Sequence, residues 1–271
     1  MVQTVDTLVG ILRTVTPSPI RVLRRRLRNL SREAALYHFI LRPPRGVGRM
    51  QALNIAKRFM RVHDHVDCAH THAEMETIVR AVFAVPASVQ GCIVEAGCFK
   101  GGSTAKLSIV AKMTDRKVFA FDSFEGLPDN VENHGLTIYG EMPNFLKGRY
   151  EGTLDEVKDN VRRFGEIEAC EFVKGWFERS MPQFHQPIAV AFIDVDLVSS
   201  TKTCLQYLYP LLVPGGSIFS HDGHLPLCTE AMDDDEFWAH TIGFPKPAMP
   251  GLGTTKLLRI TKPIAASAAH G

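Results

Sequence analysis

The sequence predicts an α/β fold, a largely parallel sheet with helices on both faces and an N-terminal helical extension. Three observations carry this. From Gly91 onward, short apolar runs alternate with stretches of helical periodicity. The first run enters the first helix through V-E-A-G-C-F-K-G-G-S-T, residues 94–104. Glycines there let the backbone approach a ligand closely. Later runs end in acids, at Asp122, at Asp194 and Asp196, and at Asp222. In a parallel sheet such strand ends share one edge, where sites are built.

The chain has 271 residues, room for one large domain or one domain with an extension. Its 45% hydrophobic and 22% charged content are those of an ordinary soluble domain. A net charge of +2 gives no global pointer to nucleic acid. Six cysteines are scattered without a C-x-x-C pair. They read as free thiols in a reducing compartment, so a cytoplasmic location is expected. No uninterrupted apolar stretch reaches the roughly 18 residues that a membrane span needs.

Residues 1–48 read as a basic helical extension. Six arginines crowd residues 21–32, interleaved with leucine and valine. Such a segment suits an organelle presequence, an anionic membrane surface, a protein partner or a plain solvated helix. Residues 43–48 look like a linker. Helical spacing over residues 49–62 and 73–84 predicts two helices, a helical lid spanning 49–88. Between them lies a histidine-dense loop holding His63, His65, His70 and His72. Its spacing matches no zinc pattern, so it reads as a lid or a ligand-edge loop.

The first strand is expected over Gly91–Ala96 and the first sheet-covering helix over Gly102–Met113. Strand Val118–Phe121 follows and ends at Asp122. The glycine spacing is not G-x-G-x-x-G, which argues against a dinucleotide fingerprint. Asp122 lies 25 positions beyond Gly97, near where a nucleoside site puts a ribose-binding acid. Residues 123–152 form a long polar loop, the expected substrate-side lid. Thr153 and Glu156 form a capping box for a helix to Phe164. Strand Cys170–Val173 delivers Trp176, a flat face on which an adenine ring could stack. Strand Ile188–Ile193 ends in Asp194-Val195-Asp196. Strand Ser217–Ser220 ends in His221-Asp222-Gly223-His224. Two acids past a buried strand are costly unless paired, hydrated or bound to a cation. Carboxylates suit Mg²⁺; His221 beside them leaves Mn²⁺ or Fe²⁺ open. A helix over residues 225–240, a last strand Thr255–Ile260 and a disordered tail, 263–271, complete the expectation.

Taken in order, E-A-G-x-x-x-G-G, F-D-S-F-E-G-L-P, G-W-F-E-R-S-M-P, I-D-V-D-L-V-S-S-T, L-Y-P-L-L-V-P-G-G and H-D-G resemble the macrocin O-methyltransferase family. Those are S-adenosylmethionine-dependent enzymes that methylate sugar hydroxyls of macrolide and aminocoumarin antibiotics. The resemblance covers about residues 91–240. It implies a Rossmann-like class I methyltransferase domain over 49–262 and cofactor contacts at Glu95, Gly97, Phe99, Asp122, Ser123, Phe124 and Trp176. It also implies Mg²⁺, or another divalent cation, held by Asp194 and by the residues after the fifth strand, here His221 and Asp222. The family pattern has two acids there, and His221 replaces one. Asp196 is the implied catalytic base, with His134 and His224 in reserve. The implied partner is a small-molecule hydroxyl acceptor, a sugar or a glycosylated compound. A homo-oligomer and an N-terminal contact with a membrane or protein stay open. So do a metal-independent methyltransferase of another acceptor class and a non-catalytic binding protein.

Overall fold

A computed structural model of the protein describes residues 34–264. The Arg-rich stretch 21–32 and residues 265–271 of the expected tail lie outside the described residues. Residues 34–41 are helical. Leu36 and Phe39 on this stretch are buried against the two helices that follow, α1 (Arg49–His65) and α2 (His72–Ala84).

The alternation read in the sequence is the sheet. Strand β1 (Cys92–Ala96) leads into α3 (Gly102–Met113), then β2 (Val118–Asp122), α4 (Leu154–Phe164) and β3 (Cys170–Lys174). A single helical turn, α5 (Phe177–Ser180), precedes β4 (Ile188–Ile193). Then come α6 (Val198–Leu208), β5 (Leu212–Ser220), α7 (Pro226–Met232) and β6 (Leu258–Thr261). The six strands lie in the order β3-β2-β1-β4-β5-β6. All neighbours are parallel except β6, which runs antiparallel to β5. The chain reverses direction across the sheet between β1 and β4. A crevice opens there beyond the strand ends, and ligands bind in such crevices.

Both faces are covered, which is why β4 is apolar throughout and β1 is apolar but for Glu95. Ile93, Val190, Phe192 and Phe219 point to the face carrying α1, α2 and α3. Their sequence neighbours Val94, Ala191, Ile193 and Ile218 point to the face carrying α6 and α7. This period of two fixes the register, since a one-residue slip would exchange the two cores.

Two expectations are corrected. The helix over 225–240 is not continuous. It ends at Met232, and after a break a π-helical turn occupies Phe237–Ile242. The break falls at Asp233 and Asp234. Asp234 Oδ1 accepts the N–H of Phe237 at 2.9 Å, a local cap that competes with the helix ladder. The last strand starts at Leu258, not Thr255, because Thr254 and Thr255 bond back to Gly251 in a turn. The cysteines are all free, as their spacing suggested.

Candidate functional site

A cavity of about 970 Å³ lies beyond the C-terminal ends of β1, β2, β4 and β5. At one end the sheet delivers Gly97, Phe99, Ser103, Asp122, Ser123 and Trp176 to its wall. Gly97 has φ +86°, and a Cβ there would collide with the backbone carbonyl of Asp194. The glycine therefore lets the ends of β1 and β4 touch. Asp122 pins this end. Its Oδ2 accepts the N–H of Cys98 at 2.6 Å, and its Oδ1 accepts that of Phe124 at 2.7 Å. Burial raises the Asp122 carboxyl, and these N–H groups oppose the rise. Four non-glycine residues around the cavity, Phe99, Phe124, Tyr150 and Asp196, have φ between 47° and 63°. Left-handed backbone is uncommon for such residues and gathers at functional sites.

Glu95 and Phe124 sit behind this wall instead of on it. Glu95 is fully buried, and its Oε2 accepts the Thr104 hydroxyl at 2.5 Å. Burial pushes its carboxyl up to about 7, while Ser103 and Thr104 pull it down. Glu95 thus ties the strand to the first turn of α3. Phe124 is buried, with its ring in a core shared with α4.

The other end is carboxylate-rich. Asp194, Asp196 and Asp222 each offer an oxygen within 4.8 Å of the others. Asp222 Oδ2 accepts the N–H groups of Val195 at 3.1 Å and Asp196 at 3.3 Å, holding the turn on which Asp196 projects. Its Oδ1 is buried without a hydrogen-bond partner. Burial, then the neighbouring negative charges, raise both Asp196 and Asp222 above the usual carboxylate range. Three such groups cannot all be ionised unaided. A hard divalent cation would relieve the repulsion and use the orphaned oxygen, so the donor set fits Mg²⁺ or Mn²⁺.

His221 stands one step back from the trio. Its Nδ1 lies 3.1 Å from Asp194 Oδ2, and its Nε2 faces Glu74 Oε1 at 3.3 Å. Burial would lower the imidazole pKa, but Asp194 and then Glu74 raise it to about 10. Its nitrogens are not among the donor atoms that converge, which come from Asp194, Asp196 and Asp222. Asp194 is correspondingly held below its ordinary value against burial by His221. The structure brings Asp194, Asp196 and Asp222 together and leaves His221 outside that group, against Asp194. Of the reserve bases, His224 lines the cavity, and burial with nearby Lys256 lowers it to about 4. His134 is buried off the wall, bonded to Glu132 at 3.0 Å.

The long loop closes the cavity. Its stretch from Met142 to Tyr150 supplies much of the wall opposite the sheet. Glu132 anchors it by accepting the N–H groups of Val198 at 2.7 Å and Ser199 at 3.0 Å, which begin α6. The histidine-dense loop forms a further edge through Asp67, Cys68 and His70. Behind it, Lys106 is buried with Nζ 2.9 Å from His70 Nε2. Sequence reading missed Glu74, Lys106 and Glu132. Thr71-x-x-Glu74 is a legible capping box and marks Glu74 as a helix-start residue. Nothing local announces its second contact, with His221.

A profile of the macrocin O-methyltransferase family (TylF) matches residues 57–243. The chain belongs to this family. It is an S-adenosylmethionine-dependent methyltransferase with the class I fold. A 4'-O-methyltransferase from Streptomyces olivaceus, which acts on 8-demethyl-8-(2,3-dimethoxy-alpha-L-rhamnosyl)-tetracenomycin-C, is 29% identical over 181 residues, covering 63% of this chain and 69% of the relative. Demethyldecarbamoylnovobiocin O-methyltransferase from Streptomyces niveus is 31% identical over 157 residues, 54% of this chain and 58% of that relative. Among solved structures, the O-methyltransferase NovP superposes with a TM-score of 0.59 at 27% identity, covering 72% of this methyltransferase and 83% of NovP. The calicheamicin methyltransferase CalS11 superposes with a TM-score of 0.54 at 18% identity, covering 91% and 94% of the two chains, a likeness of fold. No described helix of this methyltransferase is long and apolar enough to cross a membrane.

Proposed function

We propose that the protein transfers the methyl group of S-adenosylmethionine to a hydroxyl of a sugar or glycosylated small molecule, with a divalent cation at the aspartate trio. The observation that carries this reading is one cavity with two chemically distinct ends. A glycine, a pinned aspartate and an indole lie at one end, and three converging carboxylates at the other. The relatives named for rhamnosyl and novobiocin substrates support the acceptor class.

Bound S-adenosylmethionine supplies an activated sulfonium methyl, and a bound divalent cation makes an acceptor hydroxyl more acidic and orients it. The chain's own residues do the rest. Gly97 leaves room for close approach, Asp122 accepts hydrogen bonds from ribose hydroxyls, and Trp176 offers its face to the adenine. Phe99 and Ser123 complete that end, with Glu95 and Phe124 supporting it from behind. Asp194 and Asp222 hold the cation, and His221 holds Asp194. Asp196 receives the hydroxyl proton at its carboxylate. Asp196 is the carboxylate of the trio that this reading leaves free to act as general base, whereas the lowered His224 is a poor acceptor. The loop 123–152 covers the acceptor and limits water, which strengthens every charge interaction inside. Positioning of acceptor oxygen and methyl in line is the main contribution asked of the protein.

The test is calorimetric binding of S-adenosylhomocysteine, with Mg²⁺ and with a chelator, followed by methyl transfer to a rhamnosylated acceptor and to demethyldecarbamoylnovobiocin. Tight binding and cation-dependent transfer are expected. Chelator-insensitive transfer would remove the cation from the mechanism. No binding under any condition would overturn the cofactor assignment.

A further inference from the structure

We propose that Glu74 is a positioning residue for the cation site, acting through His221 on Asp194. This rests on the cation reading above. Glu74 belongs to α2, an element outside the strand ends that carry the trio. Its carboxylate has two separate duties. Oε2 accepts the backbone N–H of Thr71 at 2.7 Å and its hydroxyl at 2.8 Å, closing the capping box that starts α2. Oε1 faces outward from that cap toward His221 Nε2 at 3.3 Å.

The far side of the same imidazole meets Asp194 Oδ2 at 3.1 Å. The ring is 1% exposed and packs edge-on against Phe192 at 5.9 Å between centroids. The result is a carboxylate–imidazole–carboxylate row of charge contacts from the start of α2 to the end of β4, in which Nε2 meets Glu74 by charge and distance and has no hydrogen bond. One Asp194 oxygen is committed to this chain, which leaves the other for the cavity. An imidazole with a single charged partner could swing about its Cβ–Cγ bond. With a carboxylate on each side, its plane is set, and with it the rotamer of Asp194. Outer-shell partners of this kind are worth about 10- to 100-fold in metal affinity. The arrangement also explains how a histidine can stand where the family pattern has an acid. His221 gives up the role of ligand and becomes the brace of a ligand.

The test is an electron paramagnetic resonance titration of Mn²⁺ into the full chain and four variants. Glu74→Gln removes the charge but keeps an N3 side chain able to close the cap. His221→Asn removes the brace, and a third variant combines both. Thr71→Ala removes the side-chain half of the cap and leaves Glu74 in place. S-adenosylhomocysteine affinity and circular dichroism report folding of each, with His221→Gln as the substitute if His221→Asn does not fold. The expected result is an about 10- to 100-fold loss of Mn²⁺ affinity in Glu74→Gln. No further loss is expected when it is added to His221→Asn, and no loss in Thr71→Ala. Unchanged affinity in Glu74→Gln, or losses that multiply in the double variant, would overturn the proposal. A wild-type chain that binds S-adenosylhomocysteine but no Mn²⁺ would overturn the cation reading and this proposal with it.

Discussion

Replacing Glu132 by alanine tests whether the long loop is an integral wall of the cavity. One carboxylate in that loop accepts three bonds from the start of α6: Val198 N–H at 2.7 Å, Ser199 N–H at 3.0 Å and Ser199 O–H at 2.9 Å. α6 has no side-chain cap of its own, since Leu197 occupies the N-cap position. Loss of a helix cap costs about 0.5–2 kcal/mol, and a charge at a helix N-terminus adds about 0.3–1 kcal/mol. Allowing for partial exposure, about 1.5 kcal/mol is at stake, a fall of about 3–6 °C in Tm for a domain of this size. The pH dependence gives a second handle. Burial works to raise the Glu132 carboxyl, but the Ser199 and Val198 N–H groups and His134 hold it below 4.5. A depressed acid contributes stability above its unfolded pKa, and that stability is lost as the pH falls through the folded value. The Tm gap between wild type and Glu132→Ala should be full at pH 7 and close on acidification below about 4.5. Hydrogen exchange should rise across residues 128–150 in the same variant. Equal Tm at pH 7, or a gap that persists in acid, would refute the capping argument.

Other outcomes follow from the same geometry. Gly97→Ala should lose S-adenosylhomocysteine binding in calorimetry, because left-handed backbone costs a Cβ-bearing residue about 1–2 kcal/mol and the new methyl meets the Asp194 carbonyl. Trp176→Ala should weaken that binding about 2- to 10-fold, the worth of one stacking face. Asp196→Asn should lower turnover about 10²- to 10⁴-fold in a methyl-transfer assay while cofactor affinity survives. Lys106→Met should raise Tm at pH 7, since burial has lowered the lysine to about 8 and its charge is a liability below that value. The advantage should shrink as the pH approaches 10.5, the ordinary lysine value, where the folded and unfolded states both shed the proton.

The sheet was legible because its signals are local. Ile188–Ile193 is buried at all six positions, so its run is apolar without alternation, as a strand covered on both sides must be. The helix Gly102–Met113 begins where a left-handed Gly101 permits it and was readable to the residue. The cavity wall was legible for a related reason. Gly97, Trp176, Asp194 and Asp222 fall just past a strand end and Asp122 is the last residue of β2, and a parallel sheet sends such positions to one edge. Glu95 shows the limit of that rule. It is still within β1, so its side chain points into the layer under α3 and meets Thr104, not the cavity.

What the sequence withheld are the contacts that cross between layers. His221 follows β5 as a ligand-type residue should, and its role turns on Glu74, a residue of another layer whose only local signature is a helix cap. The same holds for Glu132, whose loop has no periodicity, yet whose carboxylate starts a helix 66 positions later. Both cases have one physical origin. A carboxylate satisfies a buried cation or a row of free N–H groups wherever the fold brings it, and the energy depends on distance and burial, not on spacing in the chain. The acids that line the cavity could be found by asking where strands end. The acids that hold the cavity in shape are found only by asking which buried donors still need a partner.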